Sequence, residues 1–297
     1  SLSNSRQDNP SISIALLRVR LDPIQLFWGR LTIDEVQILQ PRVLLGLEGR
    51  DIVNLPKPAT LFREKGPFEV FVRRITVSQG SVDICSRKPE TKIRLMGLDT
   101  TIFPDFKMGR YSFDFAIDTA IVDRLGHHQR IERAEGRARL EGSRLMIDGL
   151  QMRLKGWLKG DVSLLGELFY DTPRSSGKIR VLNAQIGDYI LGDGEAYYNI
   201  SEGSLIFTDA TVFNSGGVVK ASGTLRFNPS MDLELTSELN GLSLARLLHN
   251  LTVEDSHVDM LINGETKLSG HLNGFILKGE ATLEVSRFKV LKESYLK

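Results

Sequence analysis

The sequence has little of the material from which disulfide frameworks and nucleic-acid sites are built. It contains one cysteine, Cys85, in 297 residues, which excludes an internal disulfide framework. Basic and acidic residues nearly cancel, at 38 against 37, whereas a nucleic-acid-binding domain usually carries a clear basic excess. We therefore expect no nucleic-acid partner.

Long hydrophobic runs are missing too. No apolar segment approaches the roughly 18 residues that a membrane-spanning helix needs. The chain opens with SLSNSRQDNP, which has neither an initiator methionine nor the charged and apolar parts of a signal peptide. We expect an upstream segment to have been removed.

The patterns that carry catalysis or metal binding are also missing. His127 and His128 are adjacent, and neighbours on a strand point to opposite faces, so we do not expect them to share a metal. No HExxH or CxxC spacing occurs, and the glycine-rich stretch around Gly192 lacks the GxxxxGK[ST] pattern of a phosphate loop. We expect no catalytic residue, no metal ligand, no cofactor and no enzymatic activity.

Alternation of apolar and polar residues is the dominant pattern. It is clear in RYSFDFAIDTAIVD, GSLIFTDATVF, VVKASGTLRFN and MDLELTSEL. Such alternation predicts strands with one apolar and one polar face, as in antiparallel sheets. Glycines and prolines punctuate the runs at a spacing that predicts about two dozen strands. No domain boundary is evident, so we expect residues 1–297 to form a single elongated, repeating β module.

Three segments depart from this alternation. A proline-led turn of helix is predicted near Asp22–Phe27. A second short helix is predicted over Ser243–Leu251, with Ser243 as its N-cap. The stretch Tyr170–Gly177, YDTPRSSG, predicts a long exposed loop.

The apolar faces allow two architectures. A sandwich or closed barrel would bury them against each other. A long curved sheet would instead leave its apolar face lining an open groove for an apolar ligand. Periodicity alone does not choose between them.

The first 85 residues carry a more specific pattern. Asp22-Pro23 and a glycine turn precede an L-x-I-x-x-V-x-L-x-x-P-x-V-x-L run, an Asn-Leu pair and a hairpin around Gly80. The residues that carry the pattern are Leu17, Val19, Leu21, Asp22, Pro23, Leu26, Gly29, Leu31, Ile33, Val36, Ile38, Pro41, Val43, Leu45, Asn54, Leu55, Ile75, Val77, Gly80, Val82 and Ile84. This order resembles the N-terminal segment of the AsmA-like family, TamB-type. Later stretches, among them VVKASGTLRFNPSMDLELTSEL and LINGETKLSGHLNGFILKGEATLEV, resemble its repeats.

The resemblance implies an all-β fold: an elongated, twisted, antiparallel-type sheet curled into a taco-like hydrophobic groove, with one or two short helices. It implies a periplasmic fragment of a longer protein whose missing N-terminal anchor lies in the inner membrane. The implied function is a conduit for phospholipid between inner and outer membranes. The alternative is a scaffold for outer-membrane β-barrel assembly, acting by strand augmentation with a barrel partner. A glycan-active β-protein is a third reading, but its support is poor because aromatic residues are only 7%.

The expected groove lining is the set of aromatic and long aliphatic residues of one strand parity, although the inward parity is not determined. It comprises Val19, Leu21, Ile33, Val77, Phe113, Phe115, Leu145, Ile147, Leu205, Phe207, Leu225, Phe227, Leu233, Leu235, Leu268 and Leu283. The expected ligand is phospholipid acyl chains.

Overall fold

The computed structural model describes residues 12–48, 51–53, 69–87, 90–124, 127–169, 171–172, 174–187, 189–246, 258–271 and 276–290. Nearly all of them lie in β-strands. The predicted all-β, antiparallel-type fold with short helices is confirmed. The chain divides into two compact units: residues 1–142 with 152–156 (unit 1), and residues 143–151 with 157–297 (unit 2).

Unit 1 combines antiparallel and parallel pairing. Its strands are β1 (Ile12–Ser13), β2 (Leu16–Asp22), β3 (Arg30–Leu39), β4 (Arg42–Glu48), β5 (Asp51–Val53), β6 (Glu69–Val72), β7 (Ile75–Arg87), β8 (Glu90–Asp105), β9 (Arg110–Arg124) and β10 (His127–Glu141). β3 pairs antiparallel with β2 and parallel with β6 and β7. β1 and β5 pair antiparallel with β4, and β7 to β10 pair antiparallel in chain order.

Pro41 and Gly80, two residues of the N-terminal sequence pattern, meet where β3 passes into β4. Both strands pair with β7 and lie end to end along it. Gln40 and Gln79 have positive φ angles of 48° and 53°, and their side chains hydrogen-bond at 3.0 Å. A Cβ on Gly80 would lie 3.3 Å from Pro41 Cγ, so the glycine makes room for the proline ring.

Unit 2 is an antiparallel meander. Its strands are β12 (Leu158–Phe169), β13 (Arg174–Ile186), β14 (Tyr189–Ser201), β15 (Ser204–Asn214), β16 (Gly217–Arg226), β17 (Asp232–Ser243), β18 (Val258–His271) and β19 (Ile276–Val290). Each pairs with the next. β11 (Arg144–Gly156) is divided between the two units.

The same kind of bulge occurs at three places in the ladders of the two units. In each, the ladder shifts register at a residue of positive φ, namely Gln79, Asn183 and Gly241. The backbone N–H of each donates to a neighbouring-strand side chain, on Asp99, Asp193 and Asn263 respectively, at 2.7–2.8 Å. The neighbouring side chain therefore satisfies an amide that the shifted ladder leaves unpaired.

Two helical segments lie where the sequence predicts them. α1 (Pro23–Leu26) starts after Asp22, whose Oδ1 accepts the Ile24 N–H at 3.1 Å. Residues 244–246 are helical, and Ser243 Oγ accepts the Arg246 N–H at 3.3 Å, as an N-cap does. The rest of that predicted helix, Leu247–Leu251, lies outside the described residues, as does the Asn54-Leu55 pair.

The predicted long loop over Tyr170–Gly177 is wrong. β13 begins at Arg174, and Ser175 to Gly177 already pair with β12 on one side and β14 on the other. Gly177 lies directly opposite Gly166 and Tyr198. A Cβ on Gly177 would collide with the Leu165 carbonyl oxygen and the Gly166 backbone, so the glycine allows the close approach of β12.

Candidate functional site: an apolar face in each unit

Unit 1 presents a row of apolar side chains that crosses six strands. Directly opposed residues in a ladder share one face of the sheet, so the registers define such rows. The first row, in spatial order, is Val19, Val36, Ile75, Ile102, Phe113 and Ala138. The second is Leu17, Ile38, Val77, Thr100, Phe115 and Gly136. We call the surface made by these two rows the unit 1 apolar face.

Unit 2 has its own apolar face, which crosses eight strands. Its first row is Leu168, Ser175, Ile200, Leu205, Leu225, Leu233, Gly270 and Leu277. Its second row is Gly166, Gly177, Tyr198, Phe207, Gly223, Leu235, Leu268 and Gly279. We call the surface made by these rows the unit 2 apolar face.

Aromatic side chains lie across glycines within this second row. A Cβ on Gly166 would lie 2.9 Å from Tyr198 Oη, and a Cβ on Gly223 would lie 2.8 Å from Phe207 Cζ. Both rings therefore extend along the sheet over a neighbouring strand. The Tyr198 hydroxyl also hydrogen-bonds with Ser175 Oγ at 3.4 Å, which satisfies its only polar group. The unit 2 apolar face is therefore nearly flat along this row.

The apolar faces are only partly shielded from solvent. Among the described residues, no large side chain is fully buried. Half of the described apolar residues that are buried are alanines, such as Ala120, Ala138 and Ala210, while Val19 and Leu283 are about half exposed, at 50% and 51%. A sheet with an apolar face ordinarily buries that face against another layer of structure. Here most of the described side chains on those faces keep part of their surface exposed.

The opposite faces are polar, and charged side chains on them pair with one another. Next to the first apolar row of unit 2 runs a row made of Glu167, Ser176, Asn199, Ile206, Thr224, Glu234, Ser269 and Lys278. In the same unit Lys178 pairs with Glu195 at 2.9 Å. In unit 1, Arg137 lies opposite Asp114, and the two charges are 3.3 Å apart.

Two clusters of charged and hydrogen-bonding side chains lie on the polar side of the strands, away from the apolar faces. Glu35 is buried and accepts Arg74 at 2.9 Å, with Arg20 at 3.7 Å. In the turn between β16 and β17, hydrogen bonds from Ser230, then Asn228 and His271, lower the pKa of Asp232 to about 2. The hydrogen bonds and ion pairs of each cluster stabilise a local junction. In the first cluster Arg74 Nε is buried without a hydrogen-bond partner among the described residues.

A salt bridge also perturbs Glu132. Lys155 Nζ lies 2.6 Å from its carboxylate, and that hydrogen bond lowers the pKa of Glu132. Within the described part of the chain, no group of three or more His, Cys, Asp or Glu side chains could hold a metal ion. No helix among the described residues is long and apolar enough to span a bilayer.

The registers bring together most of the side chains expected to line a groove. Val19 and Phe113 share the first row of unit 1, and Val77 and Phe115 share the second. Leu205, Leu225 and Leu233 share the first row of unit 2, whereas Phe207, Leu235 and Leu268 share the second. Leu21 lies opposite Ile33, and Leu283 opposite Gly264.

Six of the sixteen expected residues are not placed in these rows: Leu21, Ile33 and Leu283, and also Leu145, Ile147 and Phe227. Leu145 and Ile147 share one face of β11 by their spacing. Phe227 follows the end of β16 and is half exposed, and its N–H donates to the Gly203 carbonyl oxygen at 2.7 Å. That any of the sixteen contacts lipid remains a prediction.

The rows also contain residues that sequence reasoning missed. Val36, Ile75 and Ile102 complete the first row of unit 1, and Ile200 and Tyr198 contribute to the rows of unit 2. Apolar and polar residues alternate along their strands as along the others, so the sequence shows which residues of each strand share a face. The choice among apolar residues required the register, which the sequence does not show.

A comparison with protein-family models, with curated proteins and with solved structures finds no match to this chain.

Proposed function

We propose that this protein is a periplasmic, bridge-like conduit that carries phospholipid between inner and outer membranes, with the acyl chains lying on the apolar faces of its two units. The observation that carries the proposal is the unit 2 apolar face, whose rows cross eight strands while its side chains stay accessible. The resemblance to the AsmA-like family, TamB-type, supports the same function.

The energetics favour an extended apolar surface for this task. Two acyl chains hold about 30 methylenes, and exposing them to water costs about 25 kcal/mol at about 0.8 kcal/mol each. A carrier must cover them throughout transit. A continuous strip of accessible apolar side chains does so at every position along it, and the headgroup stays in water.

The dimensions are adequate for such a ligand. Eight strands spaced ~4.8 Å apart give a row of ~34 Å. The acyl chains of one leaflet span about 15 Å, half the thickness of a bilayer's hydrocarbon core. The unit 2 apolar face is therefore longer than one set of acyl chains. Its low relief, with rings lying over glycines, offers no large step along the row.

A neighbouring pair of residues gives a sharp test. Leu205 lies on the unit 2 apolar face, and Ile206 follows it on the polar face of the same strand. We expect phospholipid to co-purify with the native chain and to be detected by mass spectrometry. Leu205→Asp should lower its amount at least several-fold, whereas Ile206→Asp should retain it.

Circular dichroism of both variants checks that they fold. A native chain free of lipid, or equal loss in the two folded variants, would contradict the proposal.

A second candidate function rests on a different feature. Every side chain of β19 from Ile276 to Val285 is exposed, and a long strand with accessible apolar residues can template another strand. This favours a scaffold that augments incoming strands of an outer-membrane barrel protein. The scaffold predicts that an unfolded barrel strand binds Leu205→Asp as tightly as the native chain, with no lipid required.

A further inference from the structure

The turn that follows α1 presents large apolar side chains to solvent. Phe27 is 90% exposed and Trp28 is 76% exposed. The turn is nevertheless well ordered by hydrogen bonds. The N–H groups of Phe27, Trp28 and Gly29 donate to carbonyl oxygens of Ile24, Gln25 and Leu26 at 3.0–3.2 Å. The aromatic side chains are therefore held outward by a defined backbone. We call residues 23–29 the first tip.

The turn between β8 and β9 lies at the same end of unit 1. β3 and β7 run parallel, β8 runs antiparallel to β7, and β9 starts after the turn, so the start of β3 and this turn share one end. Residues 106–109 form this second tip, where Met108 is 62% exposed. Lys107 Nζ lies 5.2 Å from the ring centre of Phe71 on β6, and β6 pairs with the start of β3.

Acidic residues are absent from both tips. Residues 23–30 contain Arg30 and no acid, and residues 106–110 contain Lys107 and Arg110 and no acid. The two acids next to the tips in sequence accept backbone N–H groups, whereas Glu141 on β10 pairs with Arg110 at 2.6 Å. Asp22 accepts the Ile24 N–H, and Asp105 accepts the Met108 N–H, both at 3.1 Å.

This combination fits a bilayer interface better than a protein groove. Tryptophan and phenylalanine beside basic residues are typical of segments that lie at the level of lipid headgroups. Anionic headgroups attract the adjacent cations. Two separate turns at one end of a sheet also suit a flat surface, whereas a protein partner usually covers one contiguous patch.

We propose that these two tips insert into the interfacial region of a bilayer containing anionic phospholipid, with Phe27, Trp28 and Met108 entering the acyl boundary. The tips would hold this end of unit 1 at a membrane surface. The inference does not rest on the proposed function, because lipid carriage uses the faces of strands and attachment uses their ends.

Tryptophan fluorescence tests it directly, since the sequence has only Trp28 and Trp157. In a Trp157→Phe variant, Trp28 is the sole reporter. We expect its emission to shift to the blue on addition of vesicles made of equal parts phosphatidylcholine and phosphatidylglycerol, and to be quenched by lipids brominated near the headgroup end. The reciprocal Trp28→Phe variant should show no such change.

Flotation measures the contribution of the remaining side chains. Phe27→Ser combined with Met108→Ser should lower the vesicle-bound fraction at least ten-fold, while co-purified lipid stays at the native level. Leu205→Asp should lose lipid and still float. Should the double variant fail to fold, Phe27→Ser alone provides the comparison.

Three results would overturn the proposal. One is unchanged Trp28 emission with vesicles. Another is equal flotation of native and Phe27→Ser protein. The third is a blue shift that depends on protein concentration without vesicles, because it would assign the tips to contact with a second copy.

Discussion

The two faces of the unit 2 sheet are built on the same strands and differ in how their side chains are satisfied. On one face, the row through Leu205, Leu225 and Leu233 consists mainly of apolar side chains. One residue further along each strand, the row through Thr224 and Glu234 carries hydrogen-bonding and charged groups. The polar face finds its partners in neighbouring side chains and water.

Water offers no comparable partners to the side chains of the apolar face. Exposed apolar area is unfavourable by about 25 cal/mol per Å², and partial packing along a single sheet removes only some of it. The asymmetry between the two faces therefore defines the candidate site, and no individual residue does so. Its consequences can be tested one face at a time.

The largest expected effect is on side-chain packing within the unit 2 apolar face. Gly223→Val would place side-chain atoms against the Glu234 carbonyl oxygen and the Phe207 ring. We expect a loss of about 2 kcal/mol in the free energy of unfolding, because overpacking forces neighbours to move. Urea denaturation measures it. Gly149→Val is the control, since nothing lies within 4 Å of a Cβ there. Equal urea midpoints for the two variants would show that the unit 2 apolar face is not close-packed.

The next effect asks whether the unit 1 apolar face behaves like that of unit 2. Phe113→Asp places a charge in the first row of unit 1, whereas Ser112→Asp places it on the opposite face of the same strand. We expect the first variant to carry several-fold less phospholipid by mass spectrometry and the second to match the native chain. If Phe113→Asp keeps its lipid, binding belongs to unit 2 alone.

A smaller effect tests how the polar face satisfies its own groups. Asp232 has a pKa of about 2 in place of 3.8, chiefly through the hydrogen bond from Ser230. Since the folded pKa is the lower one, its contribution to stability is present above pH 3.8 and is lost as the pH falls through about 2. Ser230→Ala should raise the pKa of Asp232, and by more than His271→Asn does. An NMR titration of the carboxyl carbon reports both shifts, and an unchanged value in Ser230→Ala would rule out this cause.

The smallest effect concerns an exposed ion pair behind Phe113. Arg137 lies 3.3 Å from Asp114, and both side chains are more than half exposed. Arg137→Ala should change the free energy of unfolding by less than about 1 kcal/mol, because solvent screens such pairs. Thermal unfolding at low and high salt checks this. A larger, salt-insensitive loss would mean that the polar face contributes more to stability than its exposure suggests.

Local chemistry explains which features could be predicted from the sequence. Asp22-Pro23 carries a cap and a helix start within two residues, so α1 was predictable. The alternation around Phe113 and Leu205 is equally local. The Tyr170–Gly177 segment misled because serine and glycine favour turns, while the pairing of Ser175 and Gly177 with two neighbouring strands overrides that preference.

The alternation of apolar and polar residues specifies strands with one apolar and one polar face, because side chains on a strand point to its two faces in turn. Which residues share a row follows from the three-dimensional fold, since a register is set by pairing between strands. The fold also places rings over glycines and leaves Phe27 and Trp28 in solvent. Those facts depend on neighbours distant in the chain, which local pattern does not encode.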